Sequence, residues 1–245
     1  MKILIQNTNG VNKNIKSLPK ADVYILTETH KISPQKKKIL EHYHDYDIHI
    51  SNGGDYNKGV VILCKKDLKT EPQQSSKRGK YVAINTQIEN VPVTIIGLYI
   101  EPETKLTDNI KQTMEELDEI CNEREVIIGG DINMYASDLD YLSENSYTIQ
   151  KTNLFKKSLQ PLLQKHHIID KWRQDFPNRR EYTFYSQKNA SRLDHAFTSK
   201  SFTHTVQCKH MPSGPFDHDK IMVNITKRVK WGTGTWKLNT TLLKI

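Results

Sequence analysis

Short apolar runs rich in β-branched residues alternate with polar segments along most of the chain. Each run is bounded by turn-forming residues, which is the pattern of β-strands. The runs lie at residues 3–5, 23–26, 59–64, 81–88, 93–99 and 126–128. Those around residues 60–63 and 126–128 are continuously apolar, as is typical of strands buried on both faces. The pattern therefore predicts a largely buried sheet.

Two segments between these runs have helical spacing. Residues 105–122 place Ile110 and Leu117 on one face, and residues 151–166 repeat the pattern. Pro161 lies inside the second segment and should kink or split it, because proline cannot donate a backbone hydrogen bond. Strands alternating with helices predict a layered α/β domain.

The size of the chain favours one large domain. It has 245 residues, of which 36% are hydrophobic, enough for a substantial core. We place the end of the domain near residue 226, because the Gly-Thr-Gly-Thr stretch at 232–235 continues neither a helix nor a strand well. Residues 227–245 are interpreted as a linker or tail. Apolar runs are too short for a signal peptide or a membrane span, so no membrane partner is expected.

Charge and cysteine content narrow the possible partners. The formal net charge is +8, which attracts polyanions such as nucleic acids, inositol phosphates or anionic lipids. Charge alone does not choose among them. Cys64, Cys121 and Cys208 are far apart and form no CxxC pair, so we expect a reducing compartment and no disulfide.

Clusters of polar residues adjoin the predicted strands. They lie at residues 7–10, 27–30, 129–133, 192–195 and 217–219. Any one of them has an ordinary explanation as a turn, a helix cap or a surface group. Because strand ends gather at one edge of a sheet, side chains distant in sequence can meet in one crevice. Together, the clusters predict an active site.

The residue types in these clusters suit phosphodiester hydrolysis. Carboxylate and amide oxygens are ligands that Mg²⁺ prefers. Asp131 is a candidate base for water, and Asn133 is a candidate to orient water or phosphate. His218 is a candidate cationic donor if Asp194 raises its pKa. Tyr99 offers a phenolic donor to the phosphate.

These clusters resemble the motifs of the exonuclease–endonuclease–phosphatase superfamily. The similar motifs are N-T-N-G at 7–10, T-E-T-H at 27–30, G-D-I-N at 130–133, R-L-D-H at 192–195 and D-H at 217–218. The resemblance covers residues 2 to about 226 and implies the fold. That fold is an α/β four-layer sandwich, in which helices flank two packed mixed β-sheets, as in DNase I-like proteins.

Within that superfamily the chain looks most like the endonuclease domain of LINE-type (non-LTR) retrotransposon polyproteins. The segment E-Y-T-F-Y-S at 181–186 and the tail at 234–243 carry this likeness. The resemblance implies an enzyme that nicks double-stranded DNA and leaves a 3′-hydroxyl. That end would prime target-primed reverse transcription of the element's RNA by a downstream reverse transcriptase. The implied place of action is the nucleus, after cytoplasmic synthesis.

The resemblance also implies roles for individual residues. Glu28 would bind Mg²⁺, for which Mn²⁺ could substitute, with Asn9 and Asp217 nearby. Asp131 would activate water, and Asp194 would orient His218. The residues expected to hold the phosphate are Asn7, Tyr99, Asn133 and His218. The residues expected to contact DNA are Thr183, Lys188, Asn189, Arg192 and Phe216, most of them in a hairpin that related enzymes use to probe DNA.

The motifs depart from the family pattern at a few positions. Phe216 stands where the family usually has Ser, and Asp219 adds a negative charge after His218. Three alternatives therefore stay open beside the retrotransposon endonuclease. They are an abasic-site repair nuclease, a phosphatase of inositol phosphates or lipids, and a catalytically weakened DNA-binding module of the same fold.

Overall fold

The computed structural model describes residues 1–53, 58–122, 124–187 and 189–227. The strands are β1 (Lys2–Asn7), β2 (Val23–Thr27), β3 (Tyr46–Ser51), β4 (Val60–Lys65), β5 (Glu71–Ser75), β6 (Tyr81–Ile88), β7 (Val91–Leu98), β8 (Glu125–Asp131), β9 (Ile168–Asp170), β10 (Phe184–Tyr185), β11 (Ala190–Ser191), β12 (Asp194–Ser199), β13 (Thr205–Met211) and β14 (Lys220–Thr226). The helices are α1 (Pro34–Leu40), α2 (Asp108–Ile120), α3 (Ser146–Lys157), α4 (Leu159–Lys165) and α5 (Lys171–Asp175).

The strands of the described residues form two large mixed sheets. The first has the order β13-β14-β1-β2-β4-β3, and the second has the order β5-β6-β7-β8-β12-β9. The pairs β1–β2 and β7–β8 are parallel, whereas their neighbours β14 and β12 run antiparallel to β1 and β8. A small hairpin, β10–β11, lies outside both sheets.

Strand alternation divides the apolar residues among three cores. Ile3 and Ile5 point into the core between the two sheets, where they join Ile127 of the second sheet. Leu4, between them in sequence, points the other way and packs towards α1. Ile128 likewise faces the helices that cover the second sheet. The result is the predicted four-layer sandwich of helices, sheet, sheet and helices.

The sheets approach each other closely where the second sheet carries glycine. A Cβ atom at Gly129 would lie 2.5 Å from the Ile5 Cδ1 atom, and one at Gly97 would lie 2.8 Å from the Val60 Cγ1 atom. Such contacts are far shorter than van der Waals distance, so a larger side chain would push the sheets apart. Glycine at these positions fixes how the strands of one sheet lie on the other.

The break between α3 and α4 explains the interrupted helical pattern. The helices separate at Ser158, and Pro161 then lies in the first turn of α4. A first-turn residue has no intrahelical partner for its N–H group, so proline costs little there. The predicted split of the helix is therefore confirmed. The break lies at Ser158, three residues before the proline.

Edge strands are the elements that the apolar pattern does not predict. All five residues of β5 are exposed, so no alternation marks it, and pairing with β6 holds it in place. The predicted tail from residue 228 onwards lies outside the described residues. Among the described helices, none combines the length and apolar character needed to cross a bilayer. Cys64, Cys121 and Cys208 are free thiols and are buried.

Candidate active site

Both sheets present polar side chains at the same edge of the sandwich. Asn7 ends β1 and Glu28 follows β2, while Asp131 ends β8. Asp194 begins β12, which is antiparallel to β8 and places Asp194 directly opposite Asp131. An antiparallel strand starts where its neighbour ends, so both kinds of cluster gather at one edge. His218 precedes β14 and belongs to the first sheet's side.

Asp131 is fully buried and held by two hydrogen bonds. Its Oδ2 atom accepts from Asn7 Nδ2 at 2.9 Å, and its Oδ1 atom accepts from the backbone N–H of Asn133 at 2.9 Å. Asn133 has a left-handed φ of 50° and donates its side-chain amide to the Ile100 carbonyl at 3.0 Å. Burial, followed by the charge of Asp194, raises the pKa of Asp131 above its ordinary range. This carboxyl group therefore takes up a proton more readily than an exposed one.

His218 and Asp194 form a short ionic pair in the interior. His218 Nδ1 lies 2.7 Å from Asp194 Oδ2. Burial alone would lower the pKa of His218, but the charge and hydrogen bond of Asp194 raise it to about 10. Burial alone would raise the pKa of Asp194, but the charge of His218 lowers it. The imidazole is therefore a cation at neutral pH, and its other ring nitrogen is a charged donor.

Three further contacts fix this pair. The carbonyl oxygen of His218 accepts a hydrogen bond from Gln6 Nε2 at 2.9 Å, and the Phe184 ring packs 4.9 Å from the imidazole. The backbone N–H of Asp194 donates to Thr183 Oγ1 at 3.1 Å. Thr183 is fully buried, so it positions Asp194 and does not reach solvent. The contact of Thr183 with DNA stays a prediction, and in this structure the side chain instead supports Asp194.

Glu28 and Tyr99 lie beside Asp131. Glu28 adopts a left-handed φ of 48°, which turns the chain sharply after β2. Burial raises the pKa of Glu28, and hydrogen bonds with the side chains of Asn7 and Tyr99 offset part of this rise. Burial and the Glu28 carboxylate raise the pKa of Tyr99, so its hydroxyl remains a donor at neutral pH.

Asn9 and Asp217 form the exposed rim of the site. Asn9 Nδ2 donates to Asp217 Oδ2 at 3.2 Å, and the Asn9 backbone N–H donates to Asn7 Oδ1 at 3.0 Å. Asn9 has a left-handed φ of 42°, which asparagine tolerates better than most residues. The structure therefore brings together all the residues predicted for catalysis and metal binding.

The donor set fits a hard divalent cation. Asp131, Asp194 and His218 each offer a ligand atom within 4.8 Å of the others. His218 is protonated by its pairing with Asp194, so the carboxylates are the better ligands. The buried Oδ1 atom of Asp194 has no hydrogen-bond partner in the described chain. Glu28 adds a further carboxylate, and this excess of negative charge favours a bound cation.

Arg192 points into the protein and away from the surface. Its side chain is fully buried, with Nε 2.9 Å from Asp140 Oδ1 and Nη2 2.7 Å from Asp170 Oδ2. Arg173 pairs with the same Asp140, and His195 lies 3.1 Å from Asp170. We call these five residues the Arg192 cluster. The contact of Arg192 with DNA stays a prediction, whereas in this structure two interior carboxylates pair with its guanidinium group.

The remaining predicted DNA contacts stay predictions. Asn189 is exposed and lines the cleft that opens from the catalytic residues. Phe216 is half-buried against the core that covers the first sheet, with Lys220 Nζ 5.6 Å from its ring centre. Lys188 lies outside the described residues.

A cleft of about 350 Å³ extends from Asp131 and His218 to the first turns of α3. The cleft is also lined by Lys151, which sequence reasoning missed. The available signal was a lysine in the apolar stripe of a helix, since Lys151 is three and four residues before the buried Leu154 and Phe155. A charged residue at such a position needs an explanation.

Comparison with known proteins agrees with this architecture. A model of the Endonuclease/Exonuclease/phosphatase family matches residues 5–233. The 3′ phosphatase NExo from Neisseria, bound to a product DNA hairpin, is similar with a TM-score of 0.68 and 17% identity over 92% of this chain and 99% of that one. The APE2 catalytic domain of Xenopus laevis has a TM-score of 0.66 and 18% identity over 94% of each chain.

The endonuclease domain of TRAS1, a telomere-specific non-LTR retrotransposon, is similar to the same extent. Its TM-score is 0.66 and its identity is 15%, over 92% of this chain and 97% of that one. At such identities the likeness to these structures shows the fold.

Proposed function

This chain belongs to the endonuclease/exonuclease/phosphatase family, and on that premise we propose that it is a Mg²⁺-dependent endonuclease that nicks double-stranded DNA. The observation that carries the proposal is the arrangement around Asp131. This buried carboxylate is held by Asn7 and Asn133 beside the Asp194–His218 ion pair. A base and a cationic donor thus lie side by side at the end of an open cleft.

Each group has a role in hydrolysis of the phosphodiester. Asp131 accepts a proton from the attacking water, and its raised pKa suits a general base working near neutral pH. His218 donates to a non-bridging phosphate oxygen, where negative charge develops. Asp194 keeps the imidazole protonated and oriented. Tyr99 supplies a second donor, and Asn7 and Asn133 hold Asp131 in place.

Glu28 is the principal candidate to hold Mg²⁺, with Asn9 and Asp217 at the rim. The ion, or Mn²⁺ in its place, would neutralise charge on the phosphate and on the leaving oxygen. The left-handed turn at Glu28 directs this residue towards the Asp131 side of the site, where its pKa reflects Asn7 and Tyr99.

We further propose that the enzyme serves a retrotransposon. The E-Y-T-F-Y-S segment contains β10, and Phe184 of this strand packs on His218, so the retrotransposon-like motif adjoins the site. The similarity to TRAS1 supports the same proposal. The nick would then leave a 3′-hydroxyl for reverse transcription of the element's RNA, and the enzyme would act in the nucleus.

Supercoiled plasmid incubated with Mg²⁺ tests this function. We expect conversion to the open circular form and loss of nicking in EDTA. The nicking rate of Asp131→Asn should be at least about 10³-fold lower than that of the wild type. The nicked product should be extended by a polymerase without prior phosphatase treatment, because its 3′ end is a free hydroxyl. DNA binding by Asp131→Asn in EDTA serves as the control for folding.

Two outcomes would contradict the proposal. Binding without any Mg²⁺-dependent nicking would instead support a DNA-binding module. Cleavage confined to oligonucleotides with an abasic site would support a repair nuclease, the activity named for the similar AP endonuclease from Archaeoglobus fulgidus.

A further inference from the structure

The α3 end of the cleft contains a buried cation that the proposed chemistry does not use. Lys151 is 2% exposed, yet it lines the same cleft as Asp131 and His218. In the described part of the chain, no carboxylate lies within ion-pair distance of its ammonium group. The negative charge of Asp131 partly offsets the effect of burial on the pKa of Lys151. A buried lysine without an ion-pair partner is costly for the fold.

Aromatic rings form the walls around this ammonium group. Lys151 Nζ lies 4.9 Å from the ring centre of Tyr147 and 5.9 Å from that of Tyr135. Cation–π attraction offsets part of the lost hydration but satisfies none of the three N–H donors. Burial lowers the pKa of Lys151 to about 8, so the group is still largely charged at neutral pH. An anion in the cleft would complete its hydrogen bonding.

The surroundings of Lys151 suit a nucleotide. Residues of the first turn of α3, which Asn145 caps, also line the cleft, and the N-terminus of a helix favours a nearby anion. Leu142 and Tyr147 also line it, although they are 55% and 45% exposed. Exposed apolar side chains beside an unpaired cation match a sugar next to a phosphate. Few other large apolar residues of the described surface are as exposed.

We propose that Lys151 binds a backbone phosphate adjacent to the scissile one on the cleaved strand, so that the α3 end of the cleft is a second phosphate site. This inference rests on the proposed DNA endonuclease function. With the scissile phosphate at His218, the same strand must continue along the cleft, and its next phosphate is the anion that Lys151 lacks. The contact positions the strand and carries no base specificity.

Equilibrium binding in EDTA tests the inference without any need for cleavage. The probe is a fluorescent duplex of about 20 base pairs, titrated over a range of salt concentrations. Lys151→Met keeps the length and apolar stem of the side chain and removes only its charge. We expect affinity to fall about tenfold and the slope of log K against log salt to decrease by about one. The matched control is Lys156→Met, on the exposed face of the same helix, which should change neither.

A neutral methylphosphonate identifies the phosphate. It is placed on either side of a mapped nick site, one position at a time, and kcat and KM are measured. At one of these positions the methylphosphonate should weaken DNA binding by the wild type. At the same position it should not weaken DNA binding by Lys151→Met any further. KM should carry the effect, with kcat changed much less, since the contact is to a phosphate other than the reacting one.

The outcomes separate this inference from the proposed function. Wild-type protein that binds the duplex but never nicks it would overturn the function and leave the binding test intact. Unchanged affinity and salt slope in Lys151→Met would overturn the inference, as would equal sensitivity of wild type and variant to both methylphosphonates. A melting temperature at or above that of the wild type is expected for Lys151→Met, because a buried charge is removed.

Discussion

Two buried ionic clusters lie a few ångströms apart in this molecule and differ in their balance of charge. In the Arg192 cluster, Asp140 and Asp170 face two guanidinium groups, and every carboxylate oxygen accepts a hydrogen bond. In the active site, the carboxylates are those of Glu28, Asp131 and Asp194, and among the described residues only His218 lies at ion-pair distance from one of them, Asp194. One Asp194 oxygen has no hydrogen-bond partner in the described chain.

The difference supports the proposal that the Arg192 cluster serves the fold and the active-site cluster serves chemistry. A balanced cluster resists the removal of any member, because the remaining charge would be buried alone. An unbalanced cluster stores unfavourable charge that a cation and a phosphate can relieve, which is a common property of catalytic sites. Arg192 and Asp194 are separated by one residue, so the R-L-D-H motif contributes Arg192 and His195 to one cluster and Asp194 to the other.

The largest expected effect that would test this comparison is on stability. Arg192→Met should lower the free energy of unfolding by about 3–5 kcal/mol, since it leaves Asp140 and Asp170 buried without their main cation. Asp131→Asn should leave it unchanged or raise it, since it removes a charge from the crowded site. Urea unfolding of the metal-free proteins measures both.

A surface pair provides the control. Lys65 Nζ lies 2.7 Å from Asp22 Oδ1, but both side chains are partly exposed, so Lys65→Met should cost about 1 kcal/mol or less. If Arg192→Met were no more costly than Lys65→Met, or if Asp131→Asn were strongly destabilising, the contrast between the clusters would be wrong.

An intermediate effect is expected at Thr183, which supports the segment between the clusters. Its hydroxyl accepts the backbone N–H groups of Leu193 and Asp194, both at 3.1 Å. Thr183→Val leaves two buried donors unpaired and should cost about 1–3 kcal/mol. Nicking should fall about tenfold, because Asp194 is less well fixed.

Thr183→Ser keeps the hydroxyl and should recover most of the activity. Plasmid nicking under single-turnover conditions and thermal unfolding distinguish the two variants. Equal losses in the serine and valine variants would show that the methyl group, not the hydroxyl, supports Asp194.

The smallest effect is a pH dependence that sharpens the comparison. The folded pKa of Asp131 is raised, so its charge opposes folding at high pH, and protonation removes the penalty as the pH falls. Asn imitates the protonated form. In EDTA, the stability advantage of Asp131→Asn over wild type should therefore be greatest near pH 8 and shrink towards about pH 4.

Asp170 should behave in the opposite way. Burial alone would raise its pKa, but the charge of Arg192 lowers it, so its stabilising charge is present above the ordinary pKa of a carboxyl group and is lost only in strong acid. Asp170→Asn should thus be less stable than wild type throughout the range from about pH 5 to 8. If stability relative to wild type depended on pH in the same way in both variants, the distinction between the two clusters would be wrong.

The fold was predictable wherever burial imposes a periodic pattern. The runs at residues 60–63 and 126–128 became central strands of different sheets, and Pro161 marked the divided helix. Strand β5 was not predictable, because its five exposed residues carry no apolar signal. A short edge strand depends on the neighbour with which it pairs, and a single segment does not contain that information.

The candidate site was predictable in membership but only partly in orientation. The strand-end clusters identified residues that do meet, such as Asn7 and Asp131. They could not show that Arg192 points into the protein, since a motif specifies residue types and not the face each occupies. Lys151 escaped notice because helical spacing predicts burial for its position, whereas its charge suggests exposure. The catalytic roles themselves stay predictions until the variants are measured.

The division of the catalytic residues between the sheets has a consequence for how activity arises. Asn7 and His218 belong to one sheet, and their partners Asp131 and Asp194 belong to the other. Neither sheet alone carries the whole candidate site, so these side chains can meet only after the two sheets have packed together. The close approaches at Gly97 and Gly129 are part of that packing, so a larger side chain at either glycine would also disturb the spacing between the two halves of the site.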